Sequence, residues 1–118
     1  MSNSQETSVK NKIRTTNDLP EFKTLQEACK ISIVEDKPIM MDYWIGSIEK
    51  KVLIGVSKDK VDGQEVVEKI LVKNEEEYTS PIIKVFGLGV DYIVMTENSI
   101  YIVDAKIPVN RIDKSSNS

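Results

Sequence analysis

The chain has 118 residues, 40% apolar and 30% charged, with a net charge of −3, one cysteine and no histidine. That size and balance suit one globular domain with a real core. They exclude an intramolecular disulfide, histidine-based catalysis, a zinc site within one chain and a strongly basic nucleic-acid binder.

Residues 1–18 are rich in Ser, Asn, Thr and Lys. They contain no apolar stretch of signal-peptide type and too little apolar surface to offset ordering entropy, which predicts a disordered tail. Residues 110–118 predict a second one. Between them, residues 19–109 are expected to form a single β-rich domain, because Ile and Val dominate the apolar set and fit a pleated surface. No apolar run reaches the roughly 18–20 residues that span a bilayer. A cytoplasmic protein in a reducing compartment, without a membrane partner, is the expectation.

Thr24 and Glu27 have the spacing of a capping box, which predicts a helix from Thr24 to Val34. Leu25, Ala28, Cys29 and Ile33 would form its apolar face, with Cys29 a buried small hydrophobe. Pro38 stops the helix. From Ile39 to Ile45 the period becomes two: Ile39, Met41, Tyr43 and Ile45 alternate with Met40, Asp42 and Trp44, which predicts a strand. Val52, Ile54 and Val56 form a second strand, and Asp62-Gly63 is a hairpin signal leading to a third over Val66 to Val72. Glu75 to Glu77 reads as a solvated connection. Ile82 to Phe86 is a further strand, and Gly87-Leu88-Gly89 a tight turn rather than a phosphate loop, since it lacks dinucleotide or P-loop spacing.

Val90 to Thr96 and Ser99 to Lys106 form the clearest hairpin. With Glu97-Asn98 as the loop, Met95 opposes Ile100 and Ile93 opposes Ile102 on one face. Val94 opposes Tyr101 and Tyr92 opposes Val103 on the other. Both faces are therefore apolar. Such a hairpin lies centrally in a barrel or sandwich, or meets the helix or another chain. The fold expected is α+β: one N-terminal helix, then about six mostly antiparallel strands in a small sandwich or partly open barrel.

Few residues invite chemistry. Asp59, Asp62 and the Glu75–Glu77 run lack the spacing of a hard-cation site and read as a solvated edge. Asp91 and Asp104 face each other across the last hairpin, where like charges repel. Such a pair serves acid–base catalysis where a nucleophile or base accompanies it, and none does here. The expected resolution is hydration at the open end of the hairpin, or neutralisation by Lys84 or Lys106. No catalytic residue, metal ligand or cofactor is assigned.

Binding remains. Tyr92, Val94, Tyr101 and Val103 are the candidate protein interface if Ile93, Met95, Ile100 and Ile102 form the core. Trp44, on the face opposite Ile39 and Tyr43, is either exposed or covered by the helix or the N-terminal segment, for example by Phe22. The alternative is a single-stranded nucleic-acid site made of Tyr43, Trp44, Lys50 and Lys51, by stacking and phosphate neutralisation. The net charge disfavours it, as does the seven-to-four excess of acidic over basic residues from Lys58 to Ser80.

Three segments carry a resemblance: Asp36-Lys37-Pro38-Ile39 with Asp42-Tyr43-Trp44, Glu77-Tyr78-Thr79-Ser80-Pro81-Ile82, and Thr96-Glu97-Asn98-Ser99-Ile100-Tyr101. In style the chain from Pro20 to Lys106 resembles short uncharacterised proteins of large cytoplasmic DNA viruses of algae and protists. The resemblance implies a structural or genome-associated component of a virion or viral factory in host cytoplasm, and no transferable catalytic residue. The expected function is thus a non-enzymatic interaction or structural module. It would self-associate as a homo-oligomer or dock onto a protein partner.

Overall fold

The structure is a computed structural model and describes residues 13–112. Its elements in chain order are α1 (Phe22–Glu35), β1 (Ile39–Met40), α2 (Trp44–Ile48), β2 (Leu53–Val61), β3 (Gln64–Val72), β4 (Ile82–Leu88), β5 (Asp91–Thr96), β6 (Ile100–Asp104) and β7 (Val109–Arg111). They build an α+β fold of two sheets, with no closed barrel among the described residues. The first sheet has the order β1-β6-β5-β4 and the second β3-β2-β7. The β2–β3, β4–β5 and β5–β6 pairs are antiparallel, while β1 runs parallel to β6 and β7 parallel to β2.

Two turns follow from local chemistry. Asp62 and Gly63 both have positive φ, at 55° and 80°, and join β2 to β3 as a two-residue hairpin. Those angles are the primed-turn geometry that matches strand twist. Gly89, with φ 58°, turns the chain between β4 and β5, and a Cβ there would fall 2.8 Å from Glu21 Oε1.

The β5–β6 hairpin lies in the middle of the molecule. Its register is the expected one, with Met95 opposite Ile100, Ile93 opposite Ile102, Val94 opposite Tyr101 and Tyr92 opposite Val103. One face packs with Ala28 of α1 and Trp44 of α2, in a core made by Ile93, Met95, Ile100 and Ile102. Val94 and Val103, on the other face, meet Ile54 and Leu71 of the second sheet and Val52 just before β2, with Tyr43 and Ile107. Helices, first sheet and second sheet thus form three layers around two cores, and the hairpin supplies both.

Several local expectations are corrected. Thr24 is not the helix cap: α1 begins at Phe22 with Glu21 at the N-cap and no side-chain cap bond. Glu27 pairs instead with Lys30, at 3.3 Å. The buried face of α1 is Thr24 and Ala28, with Leu25 and Ile31 beside them, whereas Cys29 and Ile33 point to solvent. The strand expected over Ile39 to Ile45 ends after two residues, and Trp44 to Ile48 is a helical turn and a half. The apolar run Met41, Trp44, Ile48 also satisfies a helical period, and a seven-residue window does not separate the two periods.

The expected tails lie mainly outside the described residues, but the ordered fold passes both boundaries. Arg14 reaches Asp104 of the hairpin, and Asp18 O accepts from Trp44 of α2. At the other end β7 runs to Arg111, and the Ile112 N–H donates to Val56 O at 2.8 Å. Among the described residues no helix is long and apolar enough to cross a membrane.

Candidate functional site

The densest polar constellation lies at the open end of the β5–β6 hairpin. Asp91 and Asp104 are paired across it, as their positions require. Both are buried rather than hydrated. Neither Lys84 nor Lys106 supplies the countercharge. Arg14 does, from the N-terminal segment: its Nη1 lies 2.6 Å from Asp91 Oδ1 and 3.2 Å from Asp104 Oδ2. The same nitrogen donates to Val90 O at 3.2 Å.

Each carboxylate has further structural duties. Asp91 Oδ2 accepts from the Glu21 N–H at 2.9 Å and from the Thr24 hydroxyl at 2.6 Å. It therefore caps α1 from a distant strand and sits where the helix dipole favours negative charge. Asp104 Oδ1 accepts from the Lys106 N–H at 2.7 Å, closing the chain after β6. The Asp104 N–H donates to Ser47 Oγ at 2.9 Å, and the Ser47 hydroxyl donates to Trp44 O at 2.6 Å, which ties α2 to β6.

Trp44 completes the site. It is 4% exposed, and its Nε1–H donates to Asp18 O at 2.9 Å. The Arg14 guanidinium carbon stands 5.0 Å from the centre of the Trp44 ring, a cation–π contact. The residue expected to cover Trp44, Phe22, faces solvent; Arg14 and Asp18 cover it instead. Burial alone would lower the Arg14 pKa, but the hydrogen bonds and charges of Asp91 and Asp104 outweigh it and raise it. A cavity of about 380 Å³ opens beside this cluster, reached by Arg14, Ser47, Lys50, Asp104 and Lys106.

The residues assigned from sequence as a protein interface do not form a surface. Val94 and Val103 are wholly buried beneath the second sheet, and Tyr92 and Tyr101 are half-buried against the same core. The chain itself covers both faces of the hairpin, so its second apolar face is not a docking face. The nucleic-acid set is also dispersed. Tyr43 is 5% exposed and lies between the sheets, edge-on to Tyr101 with ring centres 5.1 Å apart. Burial first, then Tyr101, Asp42 and Glu77, pushes its pKa up to about 12. Trp44 belongs to the other core. Neither ring offers a face for a base to stack on. Lys50 and Lys51 are exposed, and Lys51 pairs with Glu49 at 3.7 Å. No group of three or more Cys, Asp or Glu among the described residues is arranged to hold a metal ion.

Sequence reasoning missed two features. Arg14 lay in a stretch read as tail, although the facing Asp91 and Asp104 already called for a buried cation. The other is the outer face of α1, two residues of which, Cys29 and Ile33, are expected from sequence in the core. Phe22, Gln26, Cys29 and Ile33 recur at i, i+4, i+7 and i+11, one helical stripe. Phe22 is 78% and Ile33 80% exposed.

Comparison with protein families, with curated proteins and with solved structures found no match to this chain.

Proposed function

We propose that this protein is a non-enzymatic structural module that associates with further copies of itself through the outer face of α1. The observation that carries this is the exposed apolar stripe of Phe22, Cys29 and Ile33, with Leu19 just before the helix and Val34 beside Ile33. The hairpin's surplus apolar surface is consumed inside the fold, whereas this stripe stays exposed.

The stripe is self-complementary. In an antiparallel two-fold pairing of α1 with its copy, Phe22 meets Ile33 of the other copy and Gln26 meets Cys29, because both pairs are centred on the same point of the helix. An isologous contact requires that symmetry. Four apolar side chains at roughly three-quarters exposure, each of about 100–150 Å², bury on the order of 800 Å² over both copies. That area suits weak, concentration-dependent association, as in an assembly that holds many copies together. A virion or scaffold component, the role implied by the viral resemblance, has that requirement. The non-enzymatic part of the reading is supported by the Asp91–Asp104 pair, whose oxygens cap a helix, close a turn and bind Arg14.

Sedimentation equilibrium over roughly 10 μM to 1 mM tests this, a range that brackets a weak dimer. The wild-type mass is expected to rise with concentration, and the Ile33→Glu protein to stay monomeric while keeping its circular dichroism. A wild-type protein that remains monomeric throughout overturns the reading.

A further inference from the structure

The contacts around Arg14 are those by which proteins recognise guanidinium groups generally. Two carboxylates face one nitrogen, a backbone carbonyl adds a third acceptor, and an indole face lies alongside the planar cation. All of these acceptors belong to the folded body of the domain: Val90 lies in the turn between β4 and β5, Asp91 begins β5, Asp104 ends β6, and Trp44 begins α2. The cation alone comes from outside it, on a segment that precedes α1 and contributes no strand or helix in residues 13–21. The socket belongs to the folded body and its occupant to the segment that leads into it.

We infer that the Asp91–Asp104–Trp44 cluster is a recognition site for the guanidinium of an arginine side chain, filled in this structure by the chain's own Arg14 and open to an arginine of another polypeptide when the N-terminal segment lifts away. The adjoining cavity of about 380 Å³ lies between the N-terminal segment (Ile13, Asp18, Leu19) and the body of the domain (Ser47, Ile48, Asp104), so lifting the segment opens a path to the carboxylates. Selectivity for arginine over lysine follows from shape. One end nitrogen meets both carboxylates while the delocalised guanidinium carbon stays 5.0 Å from the Trp44 ring centre, whereas an ammonium is a compact, more strongly hydrated charge with no such plane to set against the ring. In the intact chain a tethered Arg14 acts at an effective millimolar concentration, so an external arginine competes well only when other contacts support it.

The test empties the socket. The Arg14→Ala protein leaves two buried carboxylates facing each other, and its Tm is expected to fall by roughly 15 °C or more. N-acetyl-arginine amide at millimolar concentration is expected to bind it, changing the emission of Trp44, the single tryptophan. It should also recover roughly 5–10 °C of Tm at tenfold its Kd. N-acetyl-lysine amide at the same ionic strength is expected to do neither. If the Arg14→Ala protein is unfolded when isolated, the same two compounds are added while circular dichroism is followed, and folding driven by the arginine compound alone supports the site. No response, or an equal response to both compounds, overturns it. Once arginine selectivity is seen, light scattering of Arg14→Ala mixed with the Arg14-containing chain, both carrying Ile33→Glu so that neither pairs through α1, locates the source. A mixed complex assigns the external arginine to a second copy, and its absence assigns it to a different polypeptide.

Discussion

Replacing Val94 by Ala separates a core residue from an interface residue. Val94 is fully buried in the core between the two sheets, against Val52, Ile54 and Leu71. The substitution removes two methyl groups, at about 0.8 kcal/mol each in transfer free energy. Strands on both sides hold the backbone in place, so the hole collapses only in part and a cavity term is added. The total is roughly 2–3 kcal/mol, a large share of the 5–15 kcal/mol that stabilises a typical domain. For about 100 ordered residues that lowers Tm by roughly 10–20 °C. Urea unfolding followed by circular dichroism gives the same quantity as a lower midpoint at unchanged slope. Val67→Ala, half-exposed on β3, is the control and should stay within about 0.5 kcal/mol of wild type. If Val94→Ala also changes stability by less than about 0.5 kcal/mol, the three-layer arrangement is wrong and that face of the hairpin is open.

Cys29, exposed on α1, should react with one equivalent of Ellman's reagent without denaturant, and a thiol protected until unfolding contradicts the outward orientation. Lys50 holds φ 64° after α2, where its N–H and that of Lys51 close onto Ser47 O and Gly46 O. Lys50→Gly removes the Cβ clash of a left-handed residue and should raise stability by about 0.5–1 kcal/mol in urea unfolding. Tyr43 has its pKa raised to about 12 by burial, against 10.0 for an unperturbed tyrosine. The folded state therefore holds this proton more tightly than the unfolded state. The corresponding stability is complete below pH 10 and is lost as pH rises through about 12. Tyr43→Phe should flatten this alkaline decline in a series of thermal melts, and an identical decline in both proteins refutes the assignment.

What was legible in the sequence was local. Asp62-Gly63 and Glu97-Asn98 sit between alternating runs, and each run has one register that keeps its apolar residues together. The β2–β3 and β5–β6 pairings follow from that, as does the facing of Asp91 and Asp104. Thr24 with Glu27 was a sound local cap signal that lost to a distant one. The Asp91 carboxylate meets both the Glu21 N–H and the Thr24 hydroxyl, and a charged acceptor at the helix N-terminus outweighs a neutral side-chain cap. Ile39 to Ile45 failed for another reason: its pattern fits two periods, and packing of Trp44 and Ile48 onto the hairpin chose between them.

By itself the sequence determined an α+β fold, the succession of strands from β2 to β6, and a final hairpin with two apolar faces and two opposed carboxylates. Pairing across a short loop depends on neighbours, and the residue pattern contains those neighbours. The tertiary structure decided what covers each hairpin face, which side of α1 is left bare and which cation meets the carboxylates. Arg14 reaches Asp104 across 90 positions of chain. A contact at that separation depends on how layers stack after the strands have formed, and alternation within one strand does not encode it.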